Sequence, residues 1–108
     1  MLQPFSEDLL TTLKGSQKKY LRGLANPLKP IVFIGKGGLT PQVFDAIDEA
    51  LLKQELIKVK FIEFKEEKKE LSREIEEKSN CILAGMIGHV AIFYRQHPDK
   101  EKRKIQLP

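Results

Sequence analysis

Apolar residues recur along this chain in two rhythms, and the alternation between them sets the expected fold. Between Ser16 and Ala25, Tyr20, Leu21 and Leu24 fall on one side of a helix, and Lys18, Lys19 and Arg22 share the other. Ser16 is the expected N-cap. Asn26-Pro27 ends the helix, because proline disfavours helical geometry in the residue before it. Leu9, Leu10 and Leu13 are expected to form a preceding turn or short helix. Pro30–Ile34 is short, β-branched and apolar on both faces, which predicts a buried strand.

Thr40 then caps a second helix and Pro41 fits its first position. Val43, Phe44, Ile47, Ala50 and Leu51 form its apolar stripe, with Gln42, Asp45, Asp48, Glu49 and Lys53 facing water. Alternation over Ile57–Phe64 predicts a strand with one covered face. Glu66–Asn80 reads as a surface helix with a thin apolar line through Leu71 and Ile75. Cys81–Ile87 and His89–Tyr94 read as two strands of a hairpin that meet at Gly88. Residues 96–108 form a charged tail.

The order α-β-α-β-α-β-β predicts a two-layer α/β domain. Its β-α-β crossovers favour parallel neighbours, and the final hairpin adds an antiparallel pair, so the sheet is mixed. At 108 residues the chain reads as a single domain, with residues 1–8 as an N-terminal extension. No apolar run approaches the roughly 20 residues of a membrane span, and the first ten residues lack the pattern of a signal peptide. The single cysteine, Cys81, has no internal disulfide partner, which predicts a reducing, cytoplasmic setting. No exposed heptad seam is present, so a monomer is expected.

Charge changes the picture more than composition does. The net charge is only +4, yet Leu9–Phe44 holds six basic residues and no acid (Lys14, Lys18, Lys19, Arg22, Lys29, Lys36). Residues 45–79 are net acidic and residues 80–108 net basic again, so one side of the molecule is expected to face a polyanion. Within the basic block, the strand ends in Gly35-Lys36-Gly37-Gly38, which opens directly into the Thr40 helix. Glycines let backbone N–H groups approach a ligand, the helix start aims further donors at the same point, and Lys36 adds a full charge. A phosphate suits such a place. The loop is not a P-loop, since GxxxxGK[ST] is absent, and Thr40 stands where a dinucleotide fingerprint needs its third glycine. In KH domains a GxxG loop also clamps nucleic-acid backbone, but there it joins two helices.

Together these residues resemble the CRM domain, the chloroplast RNA splicing and ribosome maturation module, in its stand-alone bacterial form, the YhbY family. The carriers are Leu13–Ala25, Leu28-Lys29-Pro30, Ile34–Thr40, Ile87-Gly88, Phe93-Tyr94-Arg95 and the basic tail that ends Ile105-Gln106-Leu107-Pro108. The resemblance implies a four-stranded mixed sheet packed against helices, similar to the C-terminal domain of translation initiation factor three. It implies RNA binding, with the GxxG loop on the contact surface, and association with precursors of the large ribosomal subunit.

The expected RNA-binding set is therefore Gly35, Lys36, Gly37 and Gly38, with Lys18, Lys19, Arg22, Lys29 and Arg95 extending a phosphate track. Without tryptophan, and with Tyr20 assigned to an apolar helix face, a base-stacking platform is poorly supplied. The expected ligand is thus structured or double-helical RNA, held by shape and charge. Two other partners fit the same residues: a ribosomal protein docking on the acidic third helix, or duplex DNA.

Enzymatic chemistry finds no support in the pattern. Cys81, His89 and His97 are the only cysteine and histidines and supply no close-spaced metal cluster, and no cofactor is implied. Cys81 reads as a core residue, and the acids of Glu63–Glu77 alternate with lysines as a solvated face does.

Overall fold

The computed structural model describes residues 13–108, so the N-terminal extension and the turn expected around Leu9 and Leu10 lie outside the described residues. Three helices, α1 (Gly15–Ala25), α2 (Pro41–Gln54) and α3 (Lys68–Ser79), alternate with strands β1 (Val32–Ile34), β2 (Leu56–Phe61), β3 (Ile82–Ile87) and β4 (Val90–Tyr94). The strands form one four-stranded sheet in the order β1-β2-β4-β3. β1 and β2 run parallel across the α2 crossover, while β4 pairs antiparallel with both β2 and β3. The mixed α/β sheet expected from the element order is present.

The layering differs from expectation. Successive side chains of a strand point to opposite faces, so β2 sends Ile57, Val59 and Phe61 to one side and Leu56 to the other. On the first side they meet Ile47 and Leu51 of α2 and Ile75 of α3, with Cys81, Ala91 and Phe93. Each fully buried Ile, Leu or Phe there contributes roughly 2 kcal/mol of transfer free energy. On the second side Leu56, Ala84, Ile92 and Tyr94 meet Leu21 and Ala25 of α1, and Ile105 and Leu107 of the tail pack alongside. Helices therefore cover both faces, in three layers instead of two. The run Ala91–Tyr94, buried at every position, is the physical reason, because a strand apolar on both faces needs cover on both.

Local patterns predicted the second helix closely. Thr40 Oγ1 accepts the Val43 N–H at 3.2 Å and Pro41 occupies the first turn. The first helix departs from expectation. Its start is fixed by Lys14 N–H donating to Gln17 Oε1 at 2.9 Å, not by Ser16. Its buried face runs through Leu21 and Ala25, while Tyr20 and Leu24 stand 41% and 38% exposed. Both pairs have the same four-residue spacing, and packing against the sheet decides between them. β1 also departs: it is an edge strand whose inner residues Val32 and Ile34 are buried, whereas Ile31 and Phe33 are open to solvent. β2 ends at Phe61 instead of Phe64.

The tail is a structural part, not a loose charged end. Glu55, at φ +63 just past α2, is buried and accepts backbone N–H groups from His97 (2.7 Å), Lys104 (2.7 Å) and Ile105 (2.9 Å). Gln17 Nε2 then donates to the Pro108 carbonyl at 3.2 Å, tying the tail to α1.

Candidate functional site

Three connections meet at one end of the sheet. The Gly35–Gly38 loop leaves β1, the stretch after Phe61 leaves β2, and the Gly88-His89 turn joins β3 to β4. Ile62 and Glu63 both donate N–H to the Ile34 carbonyl at 3.0 Å, and Phe61 donates to His89 O at 2.8 Å, which locks the three together.

The glycine loop is a tight turn in which Gly38 N–H donates to Gly35 O at 3.0 Å. Lys36 and Gly37 occupy its exposed corner, and their N–H groups bond to nothing among the described residues. Gly38, at φ +71, is the position where the turn demands glycine, and the Phe64 ring lies against it. Phe64 itself sits at φ +57, a left-handed conformation that bulky residues seldom adopt and that marks stored backbone strain. Lys36, Ile62, Phe64 and Lys65 line a groove of about 530 Å³ together with Glu63, Glu66 and Glu67. Its lining is thus charge-mixed, with three glutamates and two lysines.

Beside the groove the balance is positive. Lys68 Nζ donates to the Gly88 carbonyl at 2.6 Å and lies 3.1 Å from His89 Nδ1. Desolvation in the turn, then the ammoniums of Lys68, Lys65 and Lys60, hold the His89 imidazole below its ordinary pKa. These three lysines come from the stretch that is net acidic in sequence. The acids interleaved with them hide this in a linear charge count; alternation along β2, which places Lys58 and Lys60 on one face, was the available signal.

The other expected RNA-binding residues are scattered, and some are engaged. Lys19 is exposed and Lys18 half-buried on α1, and Lys29 is exposed before β1, up to roughly 25 Å of chain from Lys36. Arg22 donates Nη1 to the Ala84 carbonyl at 2.9 Å, its stem lying over Gly85, where a Cβ would collide with it. Arg95 lies at the opposite end of the sheet from the loop. Its side chain is 14% exposed, paired with Asp48 Oδ1 at 2.8 Å and donating to Ser79 O at 2.8 Å. Both arginines act as ties between layers, and Arg95 does not join the loop surface.

Aromatic supply also differs from expectation, since Phe33 is 53% and Phe64 40% exposed at the loop end. Cys81, by contrast, is buried in the core, which pushes its thiol up to about 12 and removes it as a nucleophile near neutral pH. Among the described residues no cluster of His, Cys, Asp and Glu could hold a metal ion, and no helix is long and apolar enough to cross a membrane.

Comparison with known proteins agrees with the fold. A Haemophilus influenzae protein named as an RNA-binding protein is 41% identical over 100 residues, covering 92% of this chain and 98% of its own. YqeI of Bacillus subtilis is 36% identical over 97 residues, 89% of this chain and 99% of its own. The solution structure of a Staphylococcus aureus protein superposes with a TM-score of 0.74 at 37% identity, over 90% of this chain and all of that one. The CRS1/YhbY (CRM) domain matches residues 13–95, from the Leu13 that packs under α1 to the Arg95 that pins β4, and the chain belongs to that family.

Proposed function

We propose that the protein binds RNA by its phosphate backbone at the loop end of the sheet, and that the RNA is ribosomal, in precursors of the large subunit. Gly35–Gly38 and Lys36 hold phosphates through free backbone N–H groups and charge. Lys60, Lys65 and His89 border them, and Lys18, Lys19 and Lys29 extend the track. The ribosomal assignment rests on the resemblance to ribosome maturation modules, and the RNA assignment gains support from the named relative. The observation that carries the site is electrostatic: the Lys68 ammonium lies 3.1 Å from the His89 ring beside a glycine turn with unspent donors, and the charges of Lys65 and Lys60 act on the same imidazole. With three glutamates among the residues that line the groove, the phosphate path runs over the rim, not into the groove.

The same charges supply the test. A polyanion that neutralises Lys60, Lys65 and Lys68 removes part of what depresses His89, so its pKa should rise when RNA binds. By linkage, affinity should then strengthen as pH falls through the His89 titration. Following the His89 ring resonances against pH, with and without a large-subunit RNA fragment, checks this. A His89 titration unmoved by saturating RNA would put the binding surface elsewhere.

A further inference from the structure

The face of the sheet that α1 covers is only half covered. Leu21 and Ala25 sit over Leu56, Tyr94, Ile92 and Ala84, and the Arg22 stem fills the slot above Gly85. Lys58, one row along, is occupied in holding the Asn26 and Leu28 carbonyls at 3.3 and 2.9 Å, which fixes the turn between α1 and β1. Among the described residues nothing covers the next row toward the glycine loop. Across the sheet it reads Phe33 on β1, Lys60 on β2, Val90 on β4 and Ile87 on β3, each in register with its neighbour. Phe33 is 53% and Ile87 60% exposed, and Lys60 is exposed between them.

We propose that this open row is a stacking site for one unpaired nucleobase of RNA, with Phe33 as the platform. The inference rests on RNA being the ligand and adds which RNA is taken: one with a bulged, looped or single-stranded nucleotide beside the phosphates held at Lys36. The occupant follows from the chemistry of the row. An exposed ring on a flat strand offers a π-face, which every base can stack on, whereas an apolar protein segment would meet the ammonium of Lys60 in the middle of the row. That ammonium suits the phosphate next to a stacked base. Phe33 stands two residues before Gly35, so a nucleotide on the ring and its neighbour at the loop are within one backbone step, about 6–7 Å. A fully paired duplex keeps its bases stacked internally and cannot use the ring.

The chain contains no tryptophan, so Phe33→Trp installs a single fluorescent reporter. The experiment titrates the full-length variant with two RNA hairpins of equal paired length, each closed by a polyethylene-glycol linker in place of loop nucleotides, one fully paired and one carrying a single bulged nucleotide. In parallel, anisotropy measures both hairpins against wild type and Phe33→Ala. Because Phe33 is exposed, Phe33→Ala should fold as wild type does by circular dichroism. The expected result is quenching of the Phe33→Trp indole by the bulged hairpin, with about a tenfold loss of affinity for it in Phe33→Ala and unchanged affinity for the paired stem.

Equal affinities in wild type and Phe33→Ala for the bulged hairpin, at an unchanged salt dependence, would overturn stacking and leave backbone binding standing. Indole emission already blue-shifted in the free protein would mean another segment or a second copy covers the row, and would also overturn it. Failure of wild type to bind either hairpin would remove the RNA reading itself.

Discussion

Replacing Glu55 by alanine is expected to lower stability by about 3 kcal/mol, because three part-buried backbone donors lose one buried carboxylate at once. Hydrogen bonds to charged groups contribute roughly 1.5–3 kcal/mol each, so the gross loss is larger. The tail can peel away, however, and let His97, Lys104 and Ile105 bond to water, which caps the cost near the free energy of tail docking. For a domain of this size the melting temperature should fall by about 15 °C. Glu55→Gln keeps an oxygen for Lys104 and Ile105 but points an amide NH₂ at the His97 N–H, and should cost about half as much. Urea unfolding gives the magnitudes, and amide exchange gives the location. Protection lost first at residues 97–107 supports the clamp, whereas uniform loss across the sheet would show that Glu55 acts through α2 instead.

The second large effect concerns binding. The double charge reversal Lys36→Glu with Lys65→Glu should weaken RNA affinity about a hundredfold at 0.1 M salt, since each phosphate released from its cation weakens binding roughly tenfold there. Both side chains line the groove that already carries Glu63, Glu66 and Glu67, so the variant gathers five carboxylates where a phosphate must pass. Neither lysine is in an ion pair among the described residues, and folding should be unaffected. The plot of log affinity against log salt should flatten from a slope of about −3 or −4 to about −1 or −2. Full affinity in the double variant would exclude the groove rim from the RNA path.

What could be read from the chain follows how local each cause is. Thr40-Pro41 fixes the start of α2 within four residues, so the loop-to-helix junction was legible and the structure reproduces it. The β3–β4 hairpin needed only Gly88 between two apolar runs, and Gly88 indeed adopts φ +60. The layering was not legible, because Tyr20/Leu24 and Leu21/Ala25 have the same helical spacing and the choice belongs to a sheet not yet assembled. Glu55 reads as one more acid at a helix end until a tail nearly fifty residues later brings its N–H groups to it. Arg22 and Arg95 read as free cations, and each has its charge engaged by partners distant in sequence, Ala84 for one and Asp48 for the other. The glycine loop and Lys36 were legible as a candidate site, while the lysines around His89 required knowing that three separate turns converge.

The Arg22 stem packed on Gly85 makes that strand position exacting. A single methyl group there would meet the Cγ and Cδ of Arg22. Either the arginine swings out and abandons Ala84, or α1 rides higher on the sheet. Residue 85 thus acts as a spacer: it sets how far α1 stands off the edge strand β3.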